Sequence, residues 1–230
     1  MTLNEITRLD YGPLQLPDWH PRHADRTCPN FGFAITTGDG IIVFDTGCGT
    51  DSTFINDHYS PSDRTVIAEL HACRLDERDV IAIVNSHLHF DHCGQNALFP
   101  TTPIWVQAAE REAARAEFYT VPEWADVDSD RLKIAGDHEA VADGVTIVAT
   151  PGHTPGHQSL VVETVNGIEV VAGQACYTCA DYAARHVDES DVHDAEHLAA
   201  AYASLDRLDS FDPIAVHLGH DARSYSPTSR

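Results

Sequence analysis

The chain has 230 residues, with 36 acidic against 14 basic side chains and a formal net charge of −22. That length can bury a substantial core and suits one large domain or two small ones, a single domain over residues 1–230 being the simpler expectation. The charge disfavours nucleic acid and anionic membranes as partners, since both are bound through clustered lysine and arginine, and Lys133 is the only lysine.

The acidic residues spread along the whole chain, which marks a solvated surface rather than an acidic tail. Met1 to Arg8 contain no basic stretch followed by an apolar one, and no segment is long enough to span a membrane. Cys28, Cys48, Cys73, Cys93, Cys176 and Cys179 follow no disulfide-like pattern. The expectation is a cytoplasmic protein with free thiols. Cys176 and Cys179 do match a C-x-x-C spacing, but no second pair exists for zinc and no helix clearly starts there, so packing is the expected role.

In chain order, Phe31 to Gly47 reads as two strands joined at Thr37-Gly38-Asp39-Gly40, the second being the apolar run Ile41 to Phe44 followed by Asp45-Thr46-Gly47. Ser62-Asp63 is placed to cap a helix running to about Cys73, with Val66, Ile67, Leu70 and Cys73 on one face. Val80 to Asn85 is the next buried strand. Pro103 to Val106 forms another, followed by an Ala, Glu and Arg-rich helix from about Gln107 to Phe118. Residues 119–140 are less regular and suit a loop or short helical insert over a pocket. Val145 to Ala149 is a strand entering the tight Pro and Gly loop around His153. Ser159–Val162 and Glu169–Ala172 make a hairpin turning at Asn166-Gly167. A last helix, Asp194 to Leu208, precedes a short strand at Ile214–Val216 and the terminal Gly219-His220-Asp221.

The most informative segment is Ser86-His87-Leu88-His89-Phe90-Asp91-His92, directly after a predicted strand. Imidazoles and carboxylates are ordinary zinc ligands, and a strand end aims residues i and i+2 the same way, so His87 and His89 suit one ion. Asp91 and His92, where the backbone turns, would point elsewhere and suit a second. A surface histidine cluster is the plainer alternative. Strands outnumber helices and helices flank the apolar runs, which suggests packed sheets with outer helices, an α/β class.

Taken in order, the strand-end motifs resemble the metallo-β-lactamase superfamily. They are Asp45-Thr46-Gly47, His87-x-His89-x-Asp91-His92, Gly152-His153, Gly173-Gln174-Ala175 and His220. The closer resemblance is to N-acyl homoserine lactonases and related lactone hydrolases, carried by His-Leu-His-Phe-Asp-His, Ala175-Cys176-Tyr177-Thr178 and Gly219-His220-Asp221. It implies a four-layer αββα sandwich. It also implies one or two Zn2+ ions per chain, with two favoured: His87, His89 and His153 on the first metal, and Asp91, His92 and His220 on the second. His138, His157, His193 and His217 match no ligand position, and Asp45 fits either a carboxylate that orients the metal loop, the reading preferred, or a strand-end turn former.

One departure stands out. Where the family places a bridging aspartate, this chain has Gln174, a neutral donor. Two divalent ions about 3.5 Å apart repel by roughly 19 kcal/mol at an effective dielectric of about 20, which anionic ligands must offset. The resemblance implies a hydrolase in which zinc lowers the pKa of bound water to about 7 and so supplies hydroxide. The expected substrate is a small neutral ester, an N-acyl homoserine lactone first among them, with Tyr177 donating a hydrogen bond to the oxyanion and Asp91 passing a proton to the leaving alkoxide. The competing readings are a thioester or other ester hydrolase, and a non-catalytic metal-binding homologue disabled at Gln174. Trp19, Phe31, Phe33, Tyr119 and Trp124 are candidates to line an acyl pocket. Relatives of this kind include monomers and dimers, so a homodimer is possible.

Overall fold

The computed structural model describes residues 4–127 and 130–227. The first half comprises β1 (Glu5–Gln15), β2 (Thr27–Thr36), β3 (Ile41–Phe44), α1 (Thr53–Tyr59), α2 (Val66–Ala72), β4 (Val80–Val84), α3 (Phe90–Cys93), β5 (Ile104–Gln107), α4 (Ala108–Ala113), α5 (Pro122–Ala125) and β6 (Leu132–Ala135). The second comprises β7 (His138–Ala142), β8 (Val145–Ala149), β9 (Gln158–Thr164), β10 (Gly167–Gly173), α6 (Cys179–Ala184), α7 (Ala195–Asp209), β11 (Ala215–Leu218) and β12 (Ser224–Tyr225). The strands form two six-stranded sheets, ordered β1-β2-β3-β4-β5-β6 and β12-β11-β10-β9-β8-β7.

Burial on both faces explains why the central strands read as continuous apolar runs. From β2 and β3, Phe31, Phe33, Ile35, Ile42 and Phe44 meet Val145, Ile147, Leu160, Val162 and Val171 of the opposite sheet. The alternate residues Ala34, Ile41 and Val43 turn outward, beneath Ile55 and Tyr59 of α1 and Val66 and Leu70 of α2. On the far side Val161, Val170, Val216 and Leu218 pack against Tyr182 of α6 and Ala201, Leu205 and Leu208 of α7. The result is the expected αββα sandwich.

Several boundaries moved, for local reasons. The α2 N-cap is Thr65, whose hydroxyl accepts from the Ala68 N–H at 3.1 Å. Ser62, expected in that role, instead accepts from the Arg64 N–H in a turn. The helix expected to run to Phe118 ends at Ala113, because Tyr119 folds back to bond the Glu110 carboxylate and Phe118 takes a left-handed φ of 63°. The irregular stretch after Tyr119 contains α5 and β6, and β7 begins at its end. Strand β1 and helix α6 had no clear sequence signal. Helix α6 corrects the reading of the cysteine pair: Thr178 caps it and Cys179 is its first residue. Both thiols are free and buried, and burial pushes Cys176 far above the ordinary thiol range and Cys179 up to about 11. Neither is an activated nucleophile. Among the described residues no helix is long and apolar enough to cross a membrane.

The C-terminal ends of β3, β4, β8, β10 and β11 meet at one rim. Strands β3 and β4 are parallel, as are β10 and β11, while β8 regains the direction of β10 through two antiparallel steps. Phe44, fully buried between the sheets, leads directly into this rim. A Phe44→Ala variant is expected to lose about 3–5 kcal/mol of stability through lost transfer energy and the cavity left behind, measured by urea unfolding.

Candidate metal centre

The rim is built from turns that aim side chains inward. At the end of β3, Asp45 takes a left-handed φ of 61°, sparsely populated for a non-glycine residue. Its buried carboxylate accepts the Ser86 N–H at 2.7 Å, the Ser86 hydroxyl at 2.8 Å and the His92 Nδ1–H at 2.8 Å. The loop after β4 is thereby locked, and Asp45 does orient it. Gly173, at a φ of +55°, lets the end of β10 approach that loop: a Cβ there would lie 2.7 Å from the Ser86 Cβ. Only glycine fits, and Gln174 is delivered beside the histidines.

Two groups of donor atoms result, each gathered within 4.8 Å: His87, His89 and His153, and Asp91, His92 and His220. His89 Nδ1 lies 3.0 Å from His87 Nε2 and 3.1 Å from His153 Nε2. Asp91 Oδ2 lies 3.5 Å from His92 Nε2 and 3.8 Å from His220 Nε2. Gln174 Oε1 lies 3.0 Å from His220 Nε2 in the second group, while its Nε2 lies 3.5 Å from His153 Nδ1, the ring nitrogen that does not face His89.

The second ring nitrogen of several histidines is held from behind, which fixes ring orientation and tautomer. His153 Nδ1 bonds the Asp191 carbonyl at 2.9 Å, His220 Nδ1 the Pro29 carbonyl at 2.7 Å, and His87 Nδ1 the Ser86 hydroxyl at 2.9 Å. His92 Nε2 is buried without a hydrogen-bond partner. An orphaned buried nitrogen costs free energy unless a partner meets it. That atom, the surrounding imidazoles and the Asp91 carboxylate fit a divalent cation.

Electrostatics favour the same reading. Burial, reinforced by neighbouring imidazoles, holds His87 and His153 well below the ordinary imidazole range. Burial likewise lowers His89 and His220 to about 4, against the pull of Asp91. These rings are neutral and present lone pairs. Burial works to raise Asp91, but His92, His220 and His89 outweigh it and keep the carboxylate ionised. His92 departs from the other imidazoles: burial opposes its charge, yet Asp91 and Asp45 push it up to about 9.

Glu110, on α4, was not singled out from the sequence, where it is one more acid in a helix. It is 1% exposed. It accepts the Leu88 N–H at 2.8 Å, the Thr154 hydroxyl at 2.7 Å and the Gly156 N–H at 3.2 Å, as well as the Tyr119 hydroxyl. One carboxylate therefore ties the His87–His89 loop to the His153 loop. His157 is a core residue whose Nε2 accepts the Gln174 N–H at 3.1 Å. His217 bonds Glu169 and Ser224 instead of the centre, and His193 borders the cavity beside it.

That cavity, of about 880 Å³, opens onto His89, Asp91, His153, Gln174 and Tyr177. Trp19 and Tyr119 line it as expected, with Phe54, Tyr59, Phe90 and Phe118. Phe31 and Phe33 lie between the sheets instead, and Trp124 packs under the outer helices with Nε1 on Asp51 at 2.7 Å. Tyr177 stacks on His220, centroids 4.9 Å apart, and the Arg22 guanidinium sits 4.1 Å over its other face, held there by Asp191.

Residues 26–220 match the family model of the metallo-beta-lactamase superfamily, and the chain belongs to that superfamily. An N-acyl homoserine lactonase of Bacillus sp. is 36% identical over 65% of this chain and 65% of its own length, so the chain spans just under two thirds of that relative. The solved structure of a Bacillus thuringiensis AiiA mutant, with N-decanoyl-L-homoserine bound at the active site, is similar with a TM-score of 0.79 at 27% identity, over 96% of this chain and 95% of that one. An N-acyl homoserine lactone hydrolase with the product N-hexanoyl-L-homoserine at its catalytic metal centre gives 0.78 at 28% identity, over 96% and 95%.

Two outcomes follow from this geometry. Glu110→Ala leaves the Leu88 and Gly156 N–H groups unpaired and is expected to weaken metal affinity about 10- to 100-fold, read by competition with a chromophoric chelator. Below pH 9 a cation must displace the proton on His92, so apparent affinity should rise with pH, by up to about tenfold per unit, and level off above 9. Calorimetric titrations at pH 6.5, 7.5 and 8.5 check this, and an affinity constant across that range contradicts it.

Proposed function

We propose that the protein hydrolyses the lactone ring of N-acyl homoserine lactones, with zinc held by His87, His89 and His153 and by Asp91, His92, Gln174 and His220. The observation that carries this reading is the cavity: its walls are largely aromatic and aliphatic, and it ends on both donor groups at once. An acyl chain suits the apolar walls, and a compact polar ring suits the end. The relatives named as lactonases and the product-bound neighbours support the choice of substrate. The charge of −22 favours a neutral substrate over a polyanionic one.

A bound divalent cation supplies Lewis acidity and ionises water near neutral pH. The rest falls to the chain. Asp91, ionised and bordering the cavity, accepts the proton of the attacking water and passes it to the ring oxygen as the ester C–O bond breaks, so lactone and water become a hydroxy acid. Tyr177 stays protonated, because burial raises its phenol far above the ordinary range and the nearby Cys28, Asp191 and Asp91 add to the effect. It is therefore a hydrogen-bond donor for the carbonyl oxygen as that atom gains charge. Arg22 and His220, on its two faces, hold the ring in place.

The test is ring opening of N-hexanoyl-homoserine lactone followed by proton release, with a glutathione thioester and a simple aryl ester in parallel. The lactone is expected to react fastest. Tyr177→Phe should lower kcat about a hundred- to thousandfold, equivalent to about 2.7–4 kcal/mol, with metal content unchanged. Chelation should abolish turnover and zinc should restore it. Faster thioester cleavage would move the assignment to that class, and metal uptake with no hydrolysis of any substrate would leave a binding protein.

A further inference from the structure

We propose that Gln174 serves one side of the metal centre only: its amide oxygen completes a four-donor site with Asp91, His92 and His220, its NH2 lies beside His153 Nδ1 and adds no donor to the three-histidine site, and the two sites load in separate steps. This rests on the metal-dependent reading above and deepens it.

The position of Gln174 is fixed at its backbone. Its N–H donates to His157 Nε2 at 3.1 Å, and Gly173 before it is pressed against Ser86. Gln174 is 4% exposed, and its amide lies against His220 and His153. At the second group, Oε1 lies 3.0 Å from His220 Nε2. A neutral imidazole carries one N–H, and that of His220 is donated from Nδ1 to the Pro29 carbonyl at 2.7 Å. Nε2 and the amide oxygen therefore confront each other as two buried acceptors, an arrangement that a cation held by both would relieve. His92 Nε2, in the same group, is buried without a hydrogen-bond partner.

A carboxylate has two anionic oxygens and can serve two cations. An amide has one neutral oxygen, and its other arm is a donor that cannot ligate. Gln174 Nε2 lies on the side of His153. The three-histidine group consequently keeps an open fourth position, as catalytic zinc sites do, while the other group is closed by protein donors, as structural sites are. Asp91 is left as the only anionic donor, so the charge of a second ion is poorly compensated once the first is bound.

The experiment is titration of the metal-free protein with Co2+, followed by calorimetry, visible absorption and low-temperature EPR. The native chain should take two ions in two steps, with dissociation constants separated on the order of 100-fold. Gln174→Asp should bring the steps within about tenfold and introduce magnetic coupling between the ions. Gln174→Leu, which removes both amide atoms, should retain only the first step. Far-UV melting of each variant checks folding, and Gln174→Glu or Gln174→Ala replaces one that does not fold. The proposal is overturned if Gln174→Leu takes two ions with native constants, or if native protein and Gln174→Asp both fill in a single step. It is also overturned if Gln174→Leu gains affinity at the second site, which would mean that the amide had been rotated with its NH2 on His220. Two-step uptake without lactone hydrolysis would sink the proposed activity and leave this inference standing; absence of any metal uptake would end both.

Discussion

The buried Asp45 carboxylate is the constraint on which the rim depends. It takes three hydrogen bonds at once, from the backbone and hydroxyl of Ser86 and from His92, in a site where unpaired groups are expensive. Its backbone is held in a strained left-handed conformation, persisting because the opposite sheet on one face and helices α1 and α2 on the other determine the position of β3. Strain of that kind is sustained where surrounding structure over-determines the residue. The loop carrying most of the donor side chains is therefore positioned by the core itself.

Glu110 does the equivalent work between loops. The His87–His89 loop leaves one sheet and the His153 loop leaves the other, and a shared carboxylate couples them. Together Asp45 and Glu110 tie the two histidine loops to each other and to the core. A metal site requires such precision because ligand distances tolerate only small errors. The cavity wall needs no such precision, and its aromatics come from loops and short helices at the mouth.

Much of the fold was legible. The runs Ile41–Phe44, Val80–Val84 and Val145–Ala149 are mostly buried and so largely apolar, and α7 is capped by Asp194, whose carboxylate accepts from the Glu196 and His197 N–H groups. Strand β1 was not, because its alternation is interrupted at Gly12-Pro13, where the ladder shifts register. Phe31 and Phe33 read as pocket candidates from residue type alone, whereas strand period and sheet pairing place them inside the sandwich. Helix α4 ended early for a tertiary reason, the return of Tyr119 to Glu110.

By itself the sequence determined the donor chemistry: histidines and an aspartate at strand-end spacing, glycines where backbones must approach, and a glutamine where the family resemblance implies an aspartate. Those facts are local, since spacing along a strand end already dictates which side chains share a direction. What only the tertiary structure decided was long-range: the joining of His153 and His220 to the central cluster, the clamping by Glu110, the backing of Tyr177 by Arg22, and the side of Gln174 that meets His220. Each depends on which strand ends become neighbours when both sheets bury their apolar faces, and no spacing within the chain encodes that adjacency.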